Sequence, residues 1–336
     1  MNVFVTGATG VLGRRLVGEL VDRGHYVVGL ARDADGAELV DAAGATPSLG
    51  DVLDPDSLEA PVSDADAVVH AATSIPSATK PTDDDWRRND EVRLDGARNL
   101  VKVADGEFDR FLFPSVVWVA RQPDGSRFDE DADPHPTRAT QSAIDTEAYL
   151  DEAAVAFGFD LTVLRCGYFY APDATHTQQF GRRLLEGTLP IIGGGTLGRR
   201  DAELSFLHAD DAARAFADAL DSDATGLYHV VDDERVSVAD FLEAFAARLG
   251  ASTPRRIPGW LAKFFVGSAT TTTLTTSMPT DGERFRRDVG WSPAYPTYRD
   301  GLRQIIDSWK TDGTIRERSE GYEWVGDAGA RTPSGV

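Results

Sequence analysis

Three glycines in one short segment are the first residues of this sequence that suggest a chemical role. Residues 6–13 read Thr-Gly-Ala-Thr-Gly-Val-Leu-Gly and stand between an apolar run and a helical pattern. In a strand–turn–helix unit, such glycines permit the turn, a close backbone approach to a pyrophosphate, and packing of helix on strand. The helix N-terminus offers N–H groups and a positive dipole end to phosphates. We therefore predict a dinucleotide site formed by Thr6, Gly7, Thr9, Gly10, Val11, Leu12 and Gly13.

The end of the second predicted strand bears on which dinucleotide binds. An acidic residue at this place accepts a hydrogen bond from the adenosine 2′-OH, whereas an arginine accommodates a 2′-phosphate. The strand ends Leu30-Ala31-Arg32, so the acid is missing and a planar cation is present. We favour NADP as the cofactor. NAD is the alternative, and in that case Arg32 is a solvated charge at the end of the strand.

Residues after the third and fourth predicted strands complete the cofactor prediction. Asp51 and Val52 follow the third strand, where the Asp51 carboxylate could accept the adenine amine. Ala71 and Ala72 follow the fourth strand, and their small side chains leave room for the pyrophosphate and ribose. His70 precedes them, and we interpret it as a core histidine that is already hydrogen-bonded.

The wider pattern predicts an α/β fold, a doubly wound parallel sheet of the Rossmann type with a smaller C-terminal α/β substrate lobe. The predicted strands are 2–6, 26–31, 45–48, 67–71, 110–116, 160–165 and 226–231. The predicted helices are 14–23, 34–43, 55–60, 84–104, 141–157, 177–186, 209–220 and 238–249. Residues 1–165 with about 205–225 are assigned to the dinucleotide-binding domain, 166–204 and 226–310 to the substrate lobe, and 311–336 to a flexible tail.

Several further motifs resemble those of the extended short-chain dehydrogenase/reductases, the epimerases and dehydratases of nucleotide sugars among them. The resemblance runs from residue 1 to about 309. Beside the glycine segment, it is carried by Gly50-Asp51, His70-Ala71-Ala72, the segment 164–172, Phe206-Leu207-His208-Ala209-Asp210-Asp211 and the segment 288–293. It implies the Rossmann fold and a nicotinamide cofactor.

The same resemblance implies a catalytic motif that this chain lacks. The family uses Ser or Thr after the fifth strand, then Tyr-x-x-x-Lys on the next helix, where Tyr is the acid/base. Ser115 matches the first position. Counting back from Glu147, which resembles the family's helix glutamate, the Tyr and Lys positions fall on Ala139 and Ala143. Arg93 stands where the family often has Asn. The pattern resembles the atypical branch that keeps the nucleotide fold without this motif.

The remaining candidates for chemistry are Ser115, Tyr168 and Tyr170. The two tyrosines follow the sixth strand, in a segment that resembles the lining of the nicotinamide pocket, so we predict that Ser115 and Tyr168 also contact the cofactor. Packing is the alternative role for both tyrosines. No cluster of His, Cys and carboxylate residues has metal-ligand spacing, so no metal is predicted.

Two hypotheses about function stay open at this point. The first is an NAD(P)-dependent oxidoreductase or epimerase acting on a sugar, polyol or related carbonyl compound with a non-standard proton shuttle. The second is a catalytically silent NADP(H)-binding protein that senses redox state or supports an assembly, because Ala139 and Ala143 cannot transfer a proton. The second lobe favours the first hypothesis, since a sensor has less need of a substrate pocket.

Composition limits the partners and the compartment. A net charge of −21 argues against nucleic acid and anionic membranes. The acids outnumber Lys and Arg by 55 to 34, and the lysines are only Lys80, Lys102, Lys263 and Lys310. This surface is typical of a halophilic protein, with an ordinary acidic enzyme as the alternative.

The single cysteine, Cys166, fits a reducing compartment. The first strand begins almost at Met1, and the apolar segment 260–266 is too short to span a bilayer. We therefore expect a cytoplasmic protein with a small-molecule substrate. A homodimer through helices 84–104 and 141–157 is an open prediction from the resemblance.

Overall fold

Strands and helices alternate through the first half of the chain, as expected. The computed structural model describes residues 1–76, 81–193, 201–262, 264, 271 and 274–326. The strands are β1 (Asn2–Thr6), β2 (Tyr26–Ala31), β3 (Thr46–Leu49), β4 (Ala67–His70), β5 (Arg110–Val116), β6 (Asp160–Cys166), β7 (Tyr168–Tyr170), β8 (Ile191–Ile192), β9 (Glu203–Leu204), β10 (Phe206–His208), β11 (Gly226–Val230), β12 (Val236–Ser237), β13 (Arg256–Ile257), β14 (Ile315–Glu317) and β15 (Tyr322–Trp324).

Seven of these strands form one sheet in the order β11-β6-β5-β4-β1-β2-β3. Every neighbouring pair in it is parallel. The predicted doubly wound parallel sheet is therefore confirmed. Strand order reverses between β1 and β4, and open sheets of this kind bind ligands at the carboxyl ends of the strands beside such a reversal.

The helices lie on both faces of the sheet. They are α1 (Val11–Asp22), α2 (Ala34–Ala42), α3 (Glu59–Ser63), α4 (Asp83–Asp90), α5 (Gly96–Val103), α6 (Gln141–Phe157), α7 (Thr175–Leu185), α8 (Ala209–Asp221) and α9 (Val238–Leu249), followed by Glu283–Val289 and Tyr298–Thr311. Leu16 of α1 and Phe216 of α8 share one core. Leu100 of α5 and Leu150 of α6 share the core on the opposite face. Burial of these apolar faces holds the layers together.

The predicted helix 84–104 is divided by an irregular turn. A π-helical segment, Glu91–Asp95, joins α4 to α5. Such segments appear mostly as single turns inside α-helices and are frequent at functional sites. Because the widened turn changes which side chains face inward, the sequence period alone does not reveal it.

The C-terminal part has short two-stranded sheets around an aromatic core. Strand β7 pairs with β10, β8 with β13, and β9 with β12. Phe241 and Phe245 of α9 pack in this core with Trp309 of the last helix. The predicted domain boundaries stay predictions.

The structure differs from the predicted flexible tail over residues 315–324. Strands β14 and β15 pair as an antiparallel hairpin. Ile315 is buried, and the Trp324 ring lies edge-on to Trp309 at 5.2 Å between centroids. The polar composition of the tail concealed these two apolar anchors. Residues 327–336 of the predicted tail lie outside the described residues.

Over the described ranges, no helix combines the length and the apolar character needed to cross a bilayer.

Candidate active site

The glycine turn between β1 and α1 is shaped by contacts that exclude side chains. Gly7 has φ of +67°, a left-handed conformation that favours glycine. A Cβ at Gly7 would lie 2.5 Å from the carbonyl carbon of Ala71. A Cβ at Gly13 would overlap the carbonyl oxygen of Gly7. These contacts place the turn against the end of β4, at the predicted ligand-binding edge.

The N-terminus of α1 is open above this turn. Gly10 is the N-cap residue, makes no side-chain cap, and is exposed. Its N–H donates to the Gly7 carbonyl at 2.9 Å, and a Cβ there would meet only that oxygen, at 3.2 Å. The first turn of α1 has no acidic residue. Because a pyrophosphate needs an uncapped, positive helix end and a backbone without side chains, these residues fit a dinucleotide.

Arg14 and Arg15 of α1 are directed to carboxylates rather than to this opening. Arg14 pairs with Asp173 at 2.5 Å, and Arg15 pairs with Asp173 at 2.7 Å and with Asp210 at 2.5 Å. These pairs connect α1 to the segments before α7 and at the start of α8.

The end of β2 presents a free cation. Arg32 is exposed, and within the described ranges its guanidinium has no hydrogen bond or ion pair. Asp33 next to it is occupied, because its carboxylate caps α2 by accepting from the Gly36 N–H at 2.8 Å. The structure therefore leaves Arg32, rather than Asp33, available to a ligand at this strand end.

The end of β3 carries the predicted adenine contact. Asp51 Oδ1 accepts from the Leu53 N–H at 2.9 Å, and its Oδ2 lies 3.4 Å from Arg88. Val52 is buried in the core below. A role of Asp51 and Val52 toward adenine stays a prediction.

His70 links the glycine turn to the π-helical segment. Burial lowers the pKa of His70 to about 4, so its ring is neutral at physiological pH. Its Nε2–H donates to the Arg93 carbonyl at 2.9 Å, and Nδ1 accepts from the Thr6 hydroxyl at 2.7 Å. The Ala72 N–H approaches Thr6 Oγ1 at 3.4 Å. His70 thus makes the satisfied core contacts expected of it, and Thr6 is a structural member of the turn.

Ser115 is tied to a buried ion pair. Its hydroxyl donates to Glu147 Oε1. The same carboxylate accepts from Arg165 Nη2 at 2.6 Å and Nε at 3.1 Å. Ser115 and Arg165 are almost fully buried on adjacent strands. This arrangement holds the end of β5, β6 and α6 together and occupies the hydroxyl that sequence analysis proposed for chemistry.

Tyr170 is buried and hydrogen-bonded, as in the alternative packing role that sequence analysis gave it. Tyr170 is 1% exposed, and its hydroxyl donates to Asp232 at 2.8 Å. Burial and the neighbouring Asp232 carboxylate raise the pKa of Tyr170 well above its usual value. These contacts are those of a packed, hydrogen-bonded side chain, and catalysis by Tyr170 stays a prediction.

Tyr168 lies in an aromatic cluster. Its ring stacks on Trp118 at 5.6 Å and lies edge-on to His176 at 5.1 Å. Burial raises the pKa of Tyr168 to about 12, which disfavours the phenolate. The His176 Nε2–H donates to the Phe169 carbonyl at 2.7 Å, and burial lowers the pKa of His176. Catalysis by Tyr168 stays a prediction, and packing accounts for the contacts observed.

The two positions that the resemblance assigns to the catalytic Tyr and Lys, 139 and 143, carry alanine and therefore neither an acid nor a base. Ala143 is fully buried, and Ala139 precedes the helix. Ser142, next to Ala143, accepts from Arg93 Nη1 at 3.3 Å. Among the described residues, no group of His, Cys, Asp and Glu could hold a metal ion. Arg93 is visible in the sequence as a departure from the family's Asn. Its burial is not visible there, because it depends on how α6 packs on the π-helical segment.

Comparison with known proteins places the chain beside one family. The model of the NAD dependent epimerase/dehydratase family matches residues 3–231. The chain is 35% identical over 310 residues to a 3-diazoavenalumate denitrifying reductase from a Streptomyces species, covering 90% of this chain and 99% of that one.

Solved structures agree on the fold. A Thermus thermophilus UDP-glucose 4-epimerase in complex with NAD has a TM-score of 0.76 at 24% identity, covering 92% of this chain and 99% of that one. The human epimerase family protein SDR39U1 with NADPH has a TM-score of 0.74 at 20% identity, covering 91% of this chain and 99% of that one.

Proposed function

Because the chain belongs to the NAD dependent epimerase/dehydratase family, we propose that it is an NAD(P)H-dependent reductase whose acceptor needs no proton from the enzyme. The open glycine turn supports the cofactor part of this proposal. Gly7, Gly10 and Gly13 would hold the pyrophosphate, and Arg32 would favour the 2′-phosphate of NADP. When bound, the reduced nicotinamide supplies a hydride.

The observation that carries the proposal is the missing proton donor. Reduction of a carbonyl or epimerisation of an alcohol requires a proton at or from oxygen, which the family's tyrosine handles. Here Ala139 and Ala143 occupy those positions, the Ser115 hydroxyl is bound by Glu147, and the Tyr170 hydroxyl is bound by Asp232. A chain with this arrangement is suited to an acceptor that becomes neutral when it gains a hydride.

An aryl diazonium compound is such an acceptor. Its net reduction, Ar–N₂⁺ plus H⁻ giving Ar–H plus N₂, balances in atoms and charge without a proton. The Streptomyces relative is named as a denitrifying reductase of a diazo compound, which supports this acceptor class over the sugars and polyols that sequence analysis considered.

The test is turnover of 4-carboxybenzenediazonium with NADPH and with NADH. We expect loss of reduced nicotinamide absorbance in step with formation of benzoate. The matched acceptor 4-carboxybenzaldehyde, which needs a proton at oxygen, is expected to react far more slowly. Gly10→Val places a side chain in the open turn and is expected to block cofactor binding. The rate measured with this variant is therefore the rate of reduction that occurs without bound cofactor.

If wild type and Gly10→Val consume the diazonium compound at the same rate, the proposal is wrong. Faster turnover of the aldehyde would also contradict it and would indicate a proton shuttle that the contacts above do not reveal.

A catalytically silent NADP(H)-binding protein is the second candidate, and Ala139 and Ala143 favour it. It predicts tight cofactor binding with no turnover of either acceptor. Fluorescence titration of NADPH into the same preparation separates this outcome from simple loss of folding.

A further inference from the structure

Arg93 is a buried arginine that forms no ion pair with any carboxylate of the described residues. It is 5% exposed, and its only side-chain hydrogen bond within the described ranges goes from Nη1 to the neutral hydroxyl of Ser142, at 3.3 Å. Its Nε–H has no partner among the described residues. Two acids act on it through their charges but form their ion pairs with other arginines: Asp90 Oδ2 pairs with Arg138 at 2.7 Å, and Glu147 pairs with Arg165 at 2.6 Å. The second carboxylate oxygen of Asp90, Oδ1, is buried without a hydrogen-bond partner among the described residues.

An unpaired buried cation is energetically unfavourable. Removing a charge from water is costly unless a partner compensates for the lost hydration. Burial lowers the pKa of Arg93 to about 10, against the opposing influence of Asp90 and Glu147. The guanidinium therefore remains charged at neutral pH, and it forms no direct ion pair with any of the described carboxylates, although the charges of Asp90 and Glu147 act on it.

Asn89 of α4 supplies a second donor that has no partner among the described residues. It is fully buried, and its Oδ1 accepts from the Ser74 N–H at 3.0 Å. Its Nδ2 has no partner among the described residues. Asn89 precedes Arg93 by four residues, across the junction of α4 and the π-helical segment. The Ser74 contact fixes the orientation of the Asn89 amide, so that its N–H₂ group is the part available to a further acceptor.

These donors lie beside the part of α6 that the resemblance assigns to catalysis. Ser142, the hydrogen-bond partner of Arg93, is adjacent to Ala143 in sequence and is buried with it. The backbone carbonyl of Arg93 also binds His70 at the end of β4. The unpaired donors therefore lie between the ligand-binding edge of the sheet and the first turns of α6.

We propose that Arg93 and Asn89 form a subsite that binds a carboxylate of the substrate, so that the substrate is an organic anion. The link between this subsite and turnover rests on the proposed reductase function. A carboxylate offers two acceptor oxygens to the Arg93 Nε–H and the Asn89 N–H₂ group, and charge-assisted hydrogen bonds of this kind are the strong ones. Binding would supply the negative charge that the buried guanidinium lacks.

The experiment is calorimetric titration of the full chain with benzoate, and with benzamide as the neutral isostere. Benzoate is expected to bind the wild type, and Arg93→Gln is expected to weaken it at least about tenfold. Benzamide binding should be the same in both. Arg88→Gln is the matched control, because Arg88 is an exposed arginine on α4, the helix that carries Asn89.

A second variant tests the geometry. Asn89→Asp keeps an acceptor for the Ser74 N–H and places a carboxylate beside Arg93. It should abolish benzoate binding and raise the Tm of the ligand-free protein. Arg93→Gln should leave the Tm equal to or above that of the wild type, because it removes an unpaired buried charge.

Three results would overturn the subsite. They are no benzoate binding to the wild type, equal benzoate affinity in Arg93→Gln, or a fall of several degrees in the Tm of ligand-free Arg93→Gln, which would make Arg93 a structural residue.

Because the titration contains no acceptor, it separates the subsite from the reductase proposal. If benzoate binds through Arg93 but no diazonium compound is reduced, only the proposed function fails. If reduction proceeds and Arg93→Gln raises the KM equally for 4-carboxybenzenediazonium and benzenediazonium, only the subsite fails.

Discussion

Arg32 is the residue on which the choice between NADP and NAD depends. It is exposed at the end of β2 with no partner among the described residues, while Asp33 is committed to capping α2. Arg32→Ala is expected to weaken NADP binding about tenfold, or ~1.4 kcal/mol, and to leave NAD binding nearly unchanged. Titration of both cofactors checks this, with Arg98→Ala as an exposed arginine control. Equal losses for NADP and NAD would remove Arg32 from the selection.

His70 makes the stability of the fold sensitive to acid. Its pKa is lowered to about 4 by burial, whereas an unfolded histidine titrates near 6.5. Between these values the unfolded chain takes up a proton that folded His70 resists, so stability is present above about pH 6.5 and is lost as pH falls toward 4. At 1.36 kcal/mol per pKa unit, the loss amounts to about 3 kcal/mol.

We therefore expect His70→Gln to flatten the fall in the free energy of unfolding between about pH 6.5 and 4, measured by urea denaturation. His135→Gln is the matched control, because His135 is exposed and should leave the pH profile unchanged. A His70→Gln profile as steep as that of the wild type would contradict the assignment.

At the scale of elements, α1 carries two glycines that differ in their surroundings. A Cβ at Gly13 would overlap the Gly7 carbonyl oxygen, whereas a Cβ at Gly18 would have nothing within 4 Å. Gly13 therefore serves the close packing of α1 on the turn, and Gly18 is only a weak point in a helix.

The same substitution at these two places should have opposite effects. Gly18→Ala is expected to stabilise the fold by about 0.5–1 kcal/mol through helix propensity. Gly13→Ala is expected to destabilise it by about 1–3 kcal/mol through overpacking and to weaken cofactor binding. Thermal unfolding with and without NADPH measures both. A neutral Gly13→Ala would show that α1 does not rest on the turn.

The arrangement of α4, the π-helical segment and α5 shows why element boundaries were harder to predict than element types. The apolar spacing of 84–104 indicates a helix, and the chain is helical there. The π-helical turn is not encoded in that spacing. Its geometry accompanies the contact of His70 with the Arg93 carbonyl and the contact of Arg93 with α6, which join parts of the chain far apart in sequence.

At the scale of the whole molecule, the net charge of −21 is the dominant electrostatic feature. Repulsion among like charges destabilises a compact state, and salt screens it. Raising KCl from about 0.1 M to about 1 M, where the Debye length falls from about 10 Å to 3 Å, is expected to raise the Tm by several degrees. Differential scanning calorimetry checks this. A Tm that is independent of KCl would argue for an ordinary acidic protein instead of a halophilic one.

The sequence by itself determined the parallel sheet, the glycine turn and the missing catalytic pair. Each is encoded locally: a strand by its apolar run, the turn by residues that tolerate a left-handed φ at Gly7, and the absent shuttle by the identity of Ala139 and Ala143. Physical constraints within a few residues are visible in the order of the amino acids, so these features could be predicted.

Only the tertiary structure decided which polar groups are already occupied and which are free. Ser115 meets Glu147 across 32 positions, Tyr170 meets Asp232 across 62, and both hydroxyls are thereby hydrogen-bonded to a carboxylate. Arg93 is buried without an ion-pair partner among the described residues, since Asp90 pairs with Arg138 and Glu147 with Arg165. Burial and hydrogen-bond partners depend on packing between distant segments, which no local pattern in the chain specifies.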